Sequence, residues 1–131
     1  MIKRVKLYPL DEVGWLAQQS SDFNEWAEQV GRWKTFKKGQ FIYHAGDRSD
    51  GLYGLASGSL QMTFPLVAEE PVVIYRAEVG FWIGDAAELT NRRRMVTLMA
   101  ASHAKLLHLP SAAIKILLAN KPEQWRCFYQ L

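Results

Sequence analysis

At 131 residues the chain suits one domain and is too short for two full cores, and with 49% apolar and 22% charged residues it has the composition of an ordinary globular protein, which excludes disorder as its main character. Its single cysteine, Cys127, excludes an internal disulfide and any cysteine-held zinc or iron–sulfur site, so a reducing, cytoplasmic setting is expected. The formal net charge of +3, densest at Arg92, Arg93 and Arg94, is a weak signal for a nucleic-acid face, and no apolar run approaches the roughly eighteen residues of a membrane span or the apolar core of a signal peptide.

Residues 10–30 read as two short helices. Val13, Leu16 and Ala17 give the first its apolar face, and Asp22 with Glu25 forms a capping box for the second, which Gly31 ends. From Arg32 the period changes to two, with Trp33 and Thr35 on one face and Lys34 and Phe36 on the other, so a strand is expected before Gly39. Segments 40–45, 52–57, 59–66, 71–78, 95–101 and 104–109 then repeat that pattern between Gly, Asp or Pro turns, the spacing of a sandwich or barrel. Ala68, Glu69 and Glu70 suit a hairpin between Leu66 and Pro71. After Pro110, Ser111 is the expected N-cap of a helix over 112–119, and Pro122 the first turn of a last helix. Trp125, Phe128, Tyr129 and Leu131 give that helix an apolar stripe with nothing obvious in the chain to cover it, so pairing of two chains through Trp125, Phe128 and Leu131 is expected. The fold class is therefore mainly β: an antiparallel jelly-roll-like barrel over 31–110, with a helical lead-in at 10–30 and C-terminal helices at 111–131, all in one domain.

The most informative stretch is Gly80 to Leu89, where a glycine turn runs straight into one helical turn. Free backbone N–H groups there, with only Ala86 and Ala87 beside them, make an anion site, and Arg94 a few residues on can bring a guanidinium to the same anion. Asp85 has two readings, a cap for the helical turn or a ligand contact. Tyr53, Phe81 and Trp82 are expected in the barrel core. His44, His103 and His108 lack the clustered spacing with a carboxylate that a cupin-type metal enzyme needs, and no nucleophile, base and orienter can be grouped, so neither a metal nor catalysis is expected.

The ordered run Gly39, Gly46, Asp50, Leu52, Tyr53, Leu55, Gly58, Gly80, Gly84, Asp85, Leu89, Arg94, Thr97, Ala100, Leu107 and Pro110 resembles the cyclic-nucleotide-binding domain of the catabolite-activator (CRP/FNR) regulators over about residues 31–120. The resemblance implies a ligand-sensing domain, the sensor half of a transcription regulator. It would bind cyclic AMP, cyclic GMP or another phosphorylated ligand through Gly84, Asp85, Ala86, Ala87 and Arg94, with no other cofactor. It further implies that residues from 122 begin a dimerisation helix, and that DNA is reached only through a helix-turn-helix domain lying beyond this chain, as does the helix that lids the base. Two departures stand at the site. Asp85 replaces the family's glutamate and is shorter by on the order of 1.5 Å, and Met95 stands where a Ser or Thr often adds a phosphate contact. They favour an alternative in which the fold is kept and the chain is only a ligand-free dimerisation or interaction module.

Overall fold

The computed structural model describes residues 4–64 and 72–131. The hairpin expected around Ala68 to Glu70 lies outside them.

The first helix expected from the sequence is irregular: turns from Tyr8 lead to a short 3-10 segment, Leu16–Gln18, which buries Leu16 while Val13 stays exposed. Helix α1, Ser21–Val30, follows, and its N-cap is Ser20, whose hydroxyl accepts the Phe23 N–H at 3.2 Å. The capping box through Asp22 does not form, because Ser20 takes the cap two residues earlier; Glu25 instead pairs with Arg4 at the surface.

Among the described residues eight strands follow, with one short helix among them: β1 Arg32–Phe36, β2 Phe41–Tyr43, β3 Gly51–Ser57, β4 Leu60–Phe64, β5 Val72–Ala77, β6 Trp82–Ile83, α2 Asp85–Thr90, β7 Thr97–Ala100 and β8 Ala104–Pro110. They form two antiparallel four-stranded sheets, ordered β1-β8-β3-β6 and β2-β7-β4-β5, a jelly-roll-like pair of sheets rather than one closed barrel. Helix α3, Ser111–Asn120, has Pro110 rather than Ser111 at its N-cap, with Ser111 its first residue and the Ser111 hydroxyl bonded to Glu88; a 3-10 turn, Pro122–Gln124, then leads into α4, Trp125–Tyr129.

The apolar runs in β3 and β8 explain the layering. An alternating strand is half exposed, but Leu52 to Ala56 and Leu106 to Leu109 are buried throughout, so their sheet must be covered on both faces. Leu52, Ala56, Leu107 and Leu109 face a cluster supplied by the helical flanks, with Leu10, Trp15, Leu16, Phe23, Ala27, Ile114 and Phe128. Tyr53, Leu55, Ala104 and Leu106 point the other way, into the space between the sheets, and meet Tyr43, Leu60, Ala77, Leu98 and Ala100. Tyr53, Phe81 and Trp82 occupy core positions as expected, Phe81 half-buried.

Phe128 corrects the expectation that the last helix is uncovered. It is 1% exposed and lies against Trp15 and Phe23, with ring centroids 5.7 and 5.6 Å away. Leu131 also packs on that cluster, and Trp15 Nε1–H donates to the Cys127 carbonyl at 2.6 Å. The lead-in 112 residues earlier in the chain supplies the cover, a pairing that periodicity within one helix cannot reveal. Of the stripe, Trp125 is half-buried and Tyr129 exposed.

Candidate functional site

The stretch 80–94 has the expected order, with one addition. Gly80 lies in a turn, the two residues of β6 pair Ile83 with Tyr53 and Trp82 with Gly54, and α2 then begins. Gly84 makes the junction at φ 114°, a left-handed conformation that L side chains resist, and a Cβ there would stand 2.7 Å from Arg94 Nη1 and 2.8 Å from the Gly51 carbonyl. Helix α2 ends at Asn91, also left-handed at φ 54°.

Arg94 is carried back to this junction by its backbone. Its N–H donates to the Asp47 carbonyl and its carbonyl accepts from Gly46, both at 2.8 Å, and an antiparallel bridge joins Arg93 to Arg48. The side chain, 1% exposed, enters the space between the sheets. Nη2 donates to Asp50 Oδ1 at 2.8 Å and to the Gly51 carbonyl at 2.9 Å, Nη1 donates to the Gly84 carbonyl at 3.3 Å, and the guanidinium lies 4.1 Å from the Tyr43 ring centroid. Three of its five N–H donors are thereby used, and Nε is buried with no partner among the described residues. Arg94 is thus a sealed cation held against Gly84, whereas its neighbours Arg92 and Arg93 are exposed.

Asp50, which the sequence placed only in the ordered run of the resemblance and not among the site residues, is the centre of this arrangement. Besides Arg94, its carboxylate accepts the Tyr53 hydroxyl at 2.7 Å, and its carbonyl accepts the His108 Nε2–H at 2.8 Å. The Tyr53 and His108 rings stack with centroids 4.5 Å apart. Desolvation pushes the Asp50 carboxyl up, but hydrogen bonds from Tyr53 and Arg94 with the nearby charges of His108 and Arg94 outweigh it, and its pKa lies below the ordinary value. Tyr53 is pushed up by burial and by its bond to Asp50; His108 is pushed down, first by burial. The available signal for Asp50 was its position beside Gly51 at the entry to a strand that carries Tyr53, but a turn aspartate has that appearance anywhere.

Of the residues expected at the site, Gly84 and Arg94 are in contact. Ala87 is buried on α2, and its carbonyl accepts the Asn91 and Arg92 N–H groups that close the helix. The side chains of Asp85 and Ala86 lie outside the described part of the structure. Met95 points outward, 58% exposed. Phe128 lies in the helix-covered core with Leu131 packed against it, and Trp125 is half-buried.

The family model of the cyclic nucleotide-binding domain matches residues 33–121. Among curated proteins, lysophospholipase nte1 of Neosartorya fischeri is 29% identical over 90 residues, 69% of this chain and 6% of that protein. Among solved structures, the Thermus thermophilus catabolite activator protein superposes with a TM-score of 0.77 at 17% identity, over 88% of this chain and 55% of that one. The regulatory subunit of a cAMP-independent protein kinase A from Trypanosoma cruzi, bound to guanosine, gives 0.76 at 22%, over 90% and 42%. The chain thus spans about half or less of the length of each of these relatives.

Proposed function

The chain belongs to the cyclic nucleotide-binding domain family, and from that membership we propose that residues 1–131 act as one cytoplasmic, non-catalytic sensor domain, the regulatory half of a CRP/FNR-type transcription regulator. Its ligand is a cyclic nucleotide, cyclic AMP or cyclic GMP, held at the 80–94 cassette. The supporting observation is Arg94: a guanidinium sealed from water, fixed against the left-handed Gly84 at the head of α2, with Nε left unpartnered. Buried donors of that kind are costly unless something meets them. The phosphate takes the Gly84–Ala87 backbone and Arg94, and the Asp85 carboxylate takes the ribose hydroxyl. Any ligand works by binding one state of the helical flanks more tightly than another. DNA is reached only through a further domain. Pairing with a second copy stays part of the proposal, but with Phe128 and Leu131 committed inside the chain, Trp125 and Tyr129 are left to carry it.

The site is a weak one. Asp85 is a methylene short, Met95 offers no phosphate contact, and Arg94 has spent three donors on its own chain. Two lost hydrogen bonds at about 1 kcal/mol each cost roughly thirtyfold in affinity, and the expected dissociation constant is on the order of 0.1 mM. Calorimetric titration with cyclic AMP and cyclic GMP tests this: Asp85→Glu should tighten binding. Submicromolar affinity in the natural sequence, or no response to Asp85→Glu, overturns the account of the site. Absence of any binding by either nucleotide would favour the second reading, an interaction module that has kept the fold alone, which the commitment of Arg94 to Asp50 also supports.

A further inference from the structure

The arginines beside Arg94 do not share its fate. Arg92 and Arg93 leave α2 on its outer side and, with Arg48 from the facing turn and Lys115 from α3, line a half-open cleft of about 310 Å³. Among the described residues the same cleft holds one carboxylate, Glu88, and that carboxylate is already committed: Ser49 Oγ–H and Ser111 Oγ–H each donate to it at 2.6 Å. The Arg93 side chain donates to the Gly46 carbonyl, while the side chains of Arg48, Arg92 and Lys115 have no hydrogen bond or ion pair among the described residues. Four cations against one carboxylate leave a formal excess of three, equal to the net charge of the whole chain. The rest of the chain is therefore formally balanced, and these cations come from three separate elements.

We infer that this cleft, which borders the proposed cradle at Ala87 but does not include Gly84 or Arg94, is a second anion site that takes a compact small molecule bearing two or more linked phosphates. The volume is at the lower end of small-molecule sites, guanidinium forks match phosphate oxygens, and the Asn91 side chain adds a neutral polar group at the wall. A convergent cleft suits a compact polyanion better than an extended strand of nucleic acid, which needs its charges spread along a face.

The test is a titration of the full chain with inorganic pyrophosphate and tripolyphosphate at near-physiological salt, by calorimetry and by backbone amide shifts. Saturable binding is expected, with the largest shifts at Asn91 and Ser111. The exposed triple variant Arg48→Gln, Arg92→Gln, Lys115→Gln should bind at least about tenfold more weakly with its urea midpoint unchanged. An equally discharged control, Arg32→Gln, Lys37→Gln, Lys121→Gln, should stay within about twofold of the natural chain. Equal weakening in both variants would reduce the effect to net charge and overturn the site. So would the lack of saturable binding, or binding of a short DNA duplex in place of the phosphates. Cyclic AMP provides the remaining arm: if it displaces pyrophosphate, the two sites are one and the inference fails, whereas failure of cyclic AMP to bind at all bears only on the cassette.

Discussion

Asp50 joins three groups that would each be costly alone: a buried guanidinium, a buried phenol and a buried imidazole. Removing the first exposes the cost. Arg94→Met keeps an apolar stem beside Tyr43 but leaves the Gly51 carbonyl without its donor, and it should destabilise the fold by about 2–3 kcal/mol in urea unfolding. The Asp50 side chain is 54% exposed and rehydrates, which keeps the loss below that of a fully buried pair. A loss under about 0.5 kcal/mol would mean the guanidinium is not carrying the turn. The same cluster dictates a pH response. Burial lowers the His108 pKa, so as the pH falls below the ordinary imidazole value of about 6.5 the unfolded chain takes up a proton before the folded one does. Stability is therefore full above that pH and lost as pH falls towards the folded-state pKa. Asp50, also lowered, adds a second loss of the same sign below the ordinary carboxyl range. His108→Gln, which can still donate to the Asp50 carbonyl, should abolish the upper limb of the stability–pH curve and leave the acid limb; an unchanged upper limb would clear His108 of the effect.

Among the described residues most strands were legible as short apolar, β-branched or aromatic runs between turn residues, and seven of the eight overlap segments expected from that pattern, with β5 falling in 71–78 and β8 exceeding 104–109 by one residue. The eighth, β6, was not expected because two residues carry no period; only its partner defines it, through Gly54 opposite Trp82. That pairing explains why β3 carries a glycine in a fully buried run. A Cβ on Gly54 would stand 2.5 Å from the Trp82 indole, so Gly54→Ala must displace the ring or open the β3–β6 contact. It should cost about 1–3 kcal/mol, with a change in tryptophan near-ultraviolet dichroism. A neutral result would show that Trp82 can shift freely. Helix boundaries were less legible: Ser20, Ser21 and Asp22 are all competent caps, and the choice between them depends on where Phe23 and Ala27 must face to reach the core. At the cassette, glycine chemistry marked Gly84, but the commitment of Arg94 depends on Asp50, 44 residues away across the space between the sheets, which no local pattern encodes.

For the molecule as a whole, the decisive feature is that both ends of the chain cover one face of the same sheet. Trp15, Phe23 and Trp26 from the lead-in meet Phe128 from the last helix, and the Trp15 indole is tied to the Cys127 carbonyl. An apolar stripe read from sequence alone predicts a partner without saying whose, and the two answers differ by experiment. If Phe128 served mainly to join two chains, Phe128→Ala would lower the sedimenting mass and leave each chain as stable as before. Its burial at 1% exposure, with ring contacts to three aromatic residues of its own chain, requires the reverse. Truncation leaves a cavity beneath Trp15, and the expected loss is about 3–5 kcal/mol of folding stability with the sedimenting mass unchanged. Because the ring bridges the helical flanks to the sheet, that loss should appear at one midpoint by tryptophan fluorescence and by far-ultraviolet dichroism. Two separate midpoints would mean that the flanks melt independently, and a change of mass without a change of midpoint would return Phe128 to the interface between chains.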